Sequence, residues 1–529
     1  MAKSKSFSNA QEIIPLLGCL VSIKSLSLEE DELIEYIIDW FKDNQIEPEV
    51  LDGNIFITFG NQKGNRHLLF NAHMDVVPAV DWKNFHHPKH TNPYAPFIFN
   101  RRMYGRGAAD TKAGLAAMMI LAKNLYTKKE ITNKLNGTVT FLFSRAEEAK
   151  TKFSGVRKVL ESNKIPKPTA AVIAEPSNLE VLIGSGGLLN FSVTGFREES
   201  KYLRKFKLNL DLLSQKAKIF KEHLPPIDRC VLAALLIYSE LPKNRSLNQI
   251  RCISDEGGHS FRPRIATLRY PHEYVTDRVL KLLDDLSSSL QTKNGIDFLN
   301  FESQSPALTG HPGYATYDNS VMDSVKKLFN NRFLEGPGIF IDAANILIFR
   351  AKIKTRSNKN KLDHIFDPLP NIEFTSFKIG AQEKMFSVSC RTSITVPNEV
   401  VKDFLSKSHN EVTIHSPDYR AAFITNTKQP IVKAALKSIQ TLFKNTTPIS
   451  IQLGASDGQI MRDVYPGLPV VLLSAGSGVK IKDGSKKEAP KFSSTSHKPD
   501  EFVDLRQAAI LPTIYENILL EYLNSNHEN

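Results

Sequence analysis

The feature that most constrains this chain is where its acidic and histidine residues fall: at the ends of apolar segments of strand length. His67–Ala72 runs into His73 and Asp75, Thr138–Ser144 into Glu147 and Glu148, Ala170–Ala174 into Glu175, and Ile449–Leu453 is followed by Asp457. Helix-period stretches lie between and around them, among them Asp31–Asn44, Lys112–Leu125, Gly155–Ser162, Pro430–Phe443 and a closing one from about Leu505 to Leu523. Strands separated by helices of that length predict an α/β domain on a mostly parallel sheet. Parallel strands open their C-terminal ends on one edge, so four of them would gather carboxylates and imidazole in one place. Such a cluster is costly unless a cation neutralises it.

The residue types fit that remedy. Imidazole with carboxylates and no thiolate suits Zn²⁺, with Mn²⁺ or Co²⁺ as further options. In His73-x-Asp75 the two side chains point the same way on extended backbone, so Asp75 can accept the imidazole N–H and fix its tautomer. Asp110 stands at the mouth of the Lys112–Leu125 helix behind Gly105 and Gly107, where a carboxylate can bridge two cations. Glu147 and Glu148 are adjacent and cannot both face one metal in the same way. One ligates, and the other stays free to take a proton from water that the cation has acidified. Asp457 caps the turn after its strand or lines the pocket floor, and His86, His87 and His90 read as a solvated loop.

Residues 188–416 follow another pattern, with alternating strands at Leu189–Thr194 and Met385–Thr395 and helical stretches between. They predict an α+β domain inserted into the first, which is thereby split into residues 1–187 and 417–529. Within the insert, residues 197–306 form a long, helix-rich insertion, and 350–361 a basic loop. No internal repeat is visible.

At 529 residues, two or more domains are expected. The net charge of +12 is scattered, apart from clusters at Lys201–Lys207 and Lys352–Lys361, and no basic motif is interleaved with aromatics. A nucleic-acid or membrane partner is therefore not expected. Cys19, Cys230, Cys252 and Cys390 form no paired motif, which fits a reducing compartment. No apolar run approaches the roughly 20 residues of a membrane span. Lys3 and Lys5 precede the apolar run Ile13–Ile23, but Pro15 and Gly18 interrupt it. It leads into Ser27-Leu28-Glu29-Glu30, which reads as a helix N-cap with an acidic first turn. A first helix–turn–helix of a cytoplasmic protein is expected.

The motifs resemble the M20 metallopeptidases and deacylases, near the acetylornithine deacetylase and succinyl-diaminopimelate desuccinylase branch. The matching residues are Asn71-Ala72-His73-Met74-Asp75-Val76-Val77-Pro78 and Tyr104-Gly105-Arg106-Gly107-Ala108-Ala109-Asp110-Thr111-Lys112-Ala113-Gly114. Glu147-Glu148, Ala174-Glu175-Pro176-Ser177, Gly454-Ala455-Ser456-Asp457 and Ser496-His497-Lys498-Pro499-Asp500-Glu501-Phe502 continue the series. The resemblance implies a zinc-peptidase-like α/β catalytic domain with an inserted α+β lid that mediates dimerisation. It also implies two divalent cations: His73 and Glu175 on one, Glu148 and His497 on the other, Asp110 bridging, and Glu147 as general base. The implied substrate is a small N-acyl amino acid. A dipeptidase or carboxypeptidase acting on short peptides is the alternative, and a non-catalytic binding protein on the same scaffold a more distant one. In the lid, His311 of Thr309-Gly310-His311-Pro312 is the candidate for oxyanion stabilisation, with His259 competing. Arg391 and Asn319 are the candidates for substrate binding. The Asn-x-Ile-Pro loop of the family is not recognisable, and Gly184-Ser185-Gly186-Gly187 replaces its usual basic residue.

Overall fold

The structure is a computed structural model describing residues 2–60, 64–79, 92–133, 135–149, 155–195, 208–241, 250–254, 265–302, 319–335, 338–355, 361–362, 365–366, 371–379, 384–415, 420–443, 449–452, 454–477, 496–497 and 500–524. It divides into two compact units. One comprises Met1–Ser185, Leu362–Phe366 and Phe423–Asn529; the other comprises Gly186–Lys361 and Asp367–Ala422.

The first unit is built on a mixed sheet. Its order is Glu49–Leu51, Asn54–Gly60, Thr138–Ser144, His67–His73, Ala170–Ile173, Val470–Leu472, Val181–Ser185, Ile449–Gln452 and on to Ile365–Phe366. The central four, from Thr138–Ser144 to Val470–Leu472, are mutually parallel, as the sequence leads one to expect. The flanks are not. Glu49–Leu51 and Asn54–Gly60 form a hairpin because Asp52 and Gly53 both take positive φ (49° and 77°), the backbone of a tight two-residue turn. Val181–Ser185 runs antiparallel to Val470–Leu472. The central strands are buried along their whole length, which is why they read as unbroken apolar runs. The Ala113–Thr127 helix, rich in Ala, Leu and Met, is likewise buried almost all round.

A separate three-stranded sheet pairs Phe502–Asp504 with Arg102–Tyr104, and that strand with Phe97–Phe99. It brings the C-terminal motif against the Tyr104–Gly107 segment, with the Gly105 N–H donating to the Glu501 carbonyl (3.0 Å). At the N-terminus, helices Ala2–Ser22 and Asp31–Asp43 flank a turn. Ser27 is not the N-cap expected of it: the second helix starts four residues later, and the Ser27 hydroxyl donates instead to Asp75 Oδ2 (2.6 Å). Among the described residues, no helix is long and apolar enough to cross a membrane.

The second unit holds an eight-stranded antiparallel sheet in two halves. One half has the order Glu411–Ile414, Gly187–Thr194, Lys384–Thr392, Asn371–Ile379; the other has Ser289–Lys293, Ile296–Glu302, Ile265–Pro271, Arg251–Ser254. In each, a helix precedes the inner hairpin (Ile339–Thr355 or Pro226–Glu240). A second helix (Asn398–Leu405 or Asp277–Leu286) follows the hairpin and leads to the outer strand. The halves join where Cys252 pairs with Ile379 and Ile253 with Lys378, so they are related by a pseudo-two-fold arrangement. The 197–306 stretch is thus not only helical: it supplies a second half-sheet. The two faces of that half-sheet are both partly apolar (Leu299 and Phe301 inward, Ile296 and Phe298 outward), which obscures the strand alternation.

Candidate metal centre

His73 ends its central strand and is almost fully buried. Its Nδ1 lies 2.9 Å from the Asp75 backbone carbonyl and 3.5 Å from the Asp75 carboxylate, while its Nε2 lies 3.2 Å from Asp110 Oδ1. Burial alone would lower the imidazole pKa, but the bonds and charges of Asp110 and Asp75 outweigh it and hold the pKa well above the ordinary value. The Asp75 carboxylate chiefly fastens the following loop. Its Oδ1 accepts the Glu147 N–H (3.0 Å) and its Oδ2 the Glu148 N–H (2.9 Å), beside the Ser27 hydroxyl. Burial opposes its ionisation, yet these partners and His73 keep its pKa below the usual range.

Asp110 sits in a kinked turn, Ala108–Lys112, whose φ/ψ values at Asp110 and Thr111 are not helical. Its two carboxylate oxygens face different imidazoles: Oδ1 faces His73 Nε2 (3.2 Å) and Oδ2 faces His497 Nε2 (3.3 Å). Despite burial, those two neighbours keep its carboxyl ionised far below the usual range. Glu148 Oε1 is 2.6 Å from His497 Nε2. The charges of Glu148 and Asp110, working against burial, push the His497 imidazole up to about 10. Glu175, also buried, accepts a bond from Gln452 Nε2 (3.2 Å). Its pKa is raised well above the ordinary value, by burial first and then by the nearby charges of Asp110 and Glu147.

Donor atoms of His73, Asp110 and Glu148 lie within 4.8 Å of one another, a spacing that could hold a metal ion. His497 touches two of them, and Glu175 is within electrostatic reach of Asp110. The charge balance fits a cation: Asp75, Asp110, Glu147, Glu148 and Glu175 gather around two imidazoles, those of His73 and His497. Even doubly protonated, two imidazoles leave these carboxylates in excess, a balance that a bound cation would redress.

Sequence reasoning passed over the residues that hold these donors in place. Glu30, fully buried, accepts the Ala146 N–H (3.0 Å) and the Arg145 guanidinium (2.9 and 3.0 Å), fixing the segment that presents Glu147 and Glu148. Glu501 accepts the N–H groups of Ala109 and Asp110 (3.1 Å each) and pairs with Arg106 (2.5 Å), fixing the Asp110 turn. Lys112 donates to the carbonyls of Leu20 and Ile23, and burial pushes its ammonium down to about 7. Asp457 is not the cap of its helix. Ser456 is the N-cap, closing a capping box with Gln459, and Asp457 accepts from the Ser144 hydroxyl (2.9 Å).

Of the remaining candidates, Arg391 is buried on its strand in the second unit, paired in register with Leu188 and Asn371. Asn319 opens the helix Asn319–Leu328, but its side chain lies outside the described residues. His311, His259 and the cluster His86, His87 and His90 also lie outside them.

A parallel-centred α/β sheet with buried imidazole and carboxylate donors at its strand ends is the framework of a metallopeptidase-type protein. Residues 69–521 match the model of peptidase family M20/M25/M40, and the chain belongs to that family. Succinyl-diaminopimelate desuccinylase of Wolbachia pipientis wMel is 33% identical over 192 residues, covering 34% of this chain and 46% of that one. The enzyme of the same name from Orientia tsutsugamushi (strain Ikeda) is 27% identical over 201 residues, covering 35% and 49%. The matched stretch thus spans about half the length of these curated relatives. In fold, the chain is similar to the M20 family metallo-carboxypeptidase Sso-CP2 from Sulfolobus solfataricus (TM-score 0.53, 15% identity, 97% of this chain and 100% of that chain). It is also similar to human carnosine dipeptidase 1 (TM-score 0.51, 13% identity, 99% and 100%).

Proposed function

We propose that this chain is a metal-dependent hydrolase that cleaves the amide bond of a small N-acyl amino acid, a deacylase of the acetylornithine or succinyl-diaminopimelate type. The observation that carries the reading is Asp110, with one carboxylate oxygen toward His73 and the other toward His497. A carboxylate so flanked suits a bridge between two divalent cations, His73 and Glu175 holding one, Glu148 and His497 the other. We assign zinc on the thiolate-free donor set, which cobalt or manganese also suits. When bound, the ions supply Lewis acidity toward the scissile carbonyl and toward water.

The rest falls to side chains. Glu147 is the general base: it takes the proton of the attacking water and returns it to the leaving amine. Asp75 serves it by holding the backbone of both glutamates and by limiting His73 to one ring orientation. His311 is assigned to the oxyanion. Arg391 is assigned to the substrate carboxylate and Asn319 to a further polar contact. The four free cysteines support a reducing, cytoplasmic setting. If a homodimer forms through the second unit by strand pairing, the sheet edges it would use are the outer strands Ser289–Lys293 and Glu411–Ile414, since Arg251–Ser254 and Asn371–Ile379 already pair with each other. Sedimentation velocity checks it.

Glu147→Gln tests the mechanism. Metal analysis should find up to two divalent ions per chain, as in the wild type, while kcat falls by roughly 10²–10⁴-fold. Near-normal turnover would remove Glu147 as the base. A panel of N-succinyl, N-acetyl and dipeptide substrates then fixes the acyl group, and exclusive dipeptide cleavage would replace the deacylase reading.

A further inference from the structure

The half-sheet that starts at Gly187 carries two orphaned side chains. Asn190 is 1% exposed, and neither its amide nitrogen nor its amide oxygen has a hydrogen-bond partner. Ser389, 0% exposed, likewise has no partner for its hydroxyl. The two residues are directly opposite each other on adjacent strands. Their neighbours Leu189, Phe191, Val388 and Cys390 point into the hydrophobic core, so Asn190 and Ser389 share the face turned away from it. Leaving such groups buried and unpaired costs about 1–3 kcal/mol each, and native folds rarely tolerate it without a reason.

The pseudo-two-fold arrangement supplies an internal control. The halves meet at Ile253 and Lys378; the hairpin partners of these residues are Thr267 and Met385, which in turn pair with Asn300 and Thr194. Followed along the strands from there, the register sets the Asn190–Ser389 pair in the place that Ile296 and Pro271 occupy in the other half. Ile296 is 42% exposed, and its pair offers no side-chain polar atom. The scaffold therefore does not need polar side chains at this position. The Gly187 half has them, sealed and unpaired.

We propose that Asn190 and Ser389 form a seat for the amide group of a small N-acyl amino acid or short peptide. An amide offers a C=O for the Asn190 N–H or the Ser389 hydroxyl, and an N–H for the Asn190 oxygen. A carboxylate alone would leave that oxygen without a donor. Arg391 is two residues beyond Ser389 on the same face and carries a positive charge for an anionic end of the same molecule. The class of ligand rests on the hydrolytic reading above; the seat rests on the two orphaned side chains.

The test is equilibrium binding of N-acetylglycine to the full chain in the Glu147→Gln background, where no turnover intervenes. Asn190→Leu with Ser389→Ala should weaken binding at least tenfold and leave the thermal midpoint unchanged or higher, because no native bond is lost. Ile296→Asn, the control in the other half, should leave affinity unchanged. Unaltered affinity in the double variant would overturn the seat. So would a lowered midpoint, which would mark the pair as structural, or binding of inorganic phosphate as tight as that of N-acetylglycine, which would mark simple anion capture. Failure of the hydrolytic reading would appear separately, as wild-type protein that binds N-acetylglycine through these residues and cleaves no amide.

Discussion

Two clusters of buried charge deal with the same problem differently. In the second unit, Arg350, with 1% of its surface exposed, pairs with Asp228 and lies 3.7 Å from Glu373, and the guanidinium of Arg229 adds its charge beside Asp228. Two guanidinium groups meet two carboxylates there, and further guanidinium N–H groups donate to the carbonyls of Ile372, Leu286 and Glu302. In the first unit, five carboxylates meet two imidazoles. The first cluster balances its own charge and is a structural device. The second is left with surplus negative charge, which is what makes it a candidate site for cations.

The difference can be attacked from either side. The largest effect is expected from Asp110→Asn, which keeps the shape but removes the charge that faces both imidazoles. If Asp110 bridges two cations as proposed, metal analysis should show the loss of at least one ion per chain, and hydrolysis should fall by roughly 10³-fold or more, since the Lewis acid itself is then disabled. Retention of two ions with high turnover would dissolve the contrast. Arg350→Leu should do the opposite, leaving metal content untouched while lowering unfolding free energy by about 3–5 kcal/mol, because Asp228 and Glu373 are then buried with weaker compensation. Denaturant titration measures it.

Glu180 shows a third solution, a proton. Burial pushes its carboxyl up to about 7 from the usual 4.5. A raised folded-state value means that folding favours the protonated form. Stability is therefore intact below about pH 4.5 and lost as pH rises through about 7. Glu180→Gln should match the wild type in acid and exceed it by about 2–3 kcal/mol at pH 8; a constant offset at all pH values would contradict this. The smallest effect is expected from Ser27→Ala, which strips one hydrogen bond from the Asp75 carboxylate. It should weaken metal affinity by roughly 10-fold, the lower end for residues that support ligands from behind, as read by competition with a chelator.

How legible was all this beforehand? The candidate donors His73, Asp110, Glu148 and Glu175 were legible because each follows a strand or a glycine-marked turn that the sequence displays locally. Ser27 and Glu30 were not: in Ser27-Leu28-Glu29-Glu30 nothing separates the buried Glu30 from its exposed neighbours, since its partners Arg145 and Ala146 are more than a hundred residues away. The Glu501 bond to Arg106 spans 395 residues and was hidden for the same reason. The flanking hairpin was missed although Asp52-Gly53 marks it, because the short strand Glu49–Leu51 is mostly exposed and lacks an apolar pattern. The doubled half-sheet escaped notice because the repeat is one of topology. Asn190 and Ser389 correspond to Ile296 and Pro271, so no residue pattern betrays it.

The reach of those pairings also bears on how the protein is made. Glu148 must wait for His497, 349 residues later, and the Asp110 turn for Glu501. At chain growth of about 5–20 residues per second, the growing polypeptide spends tens of seconds with most of its donor residues synthesised but without the last ones. During that interval it carries an acidic, half-built pocket that lacks its second imidazole. Completion of this donor set is thereby tied to translation of the His497–Glu501 segment, and fragments that stop short of it are expected to lack the second imidazole and the anchor of the Asp110 turn.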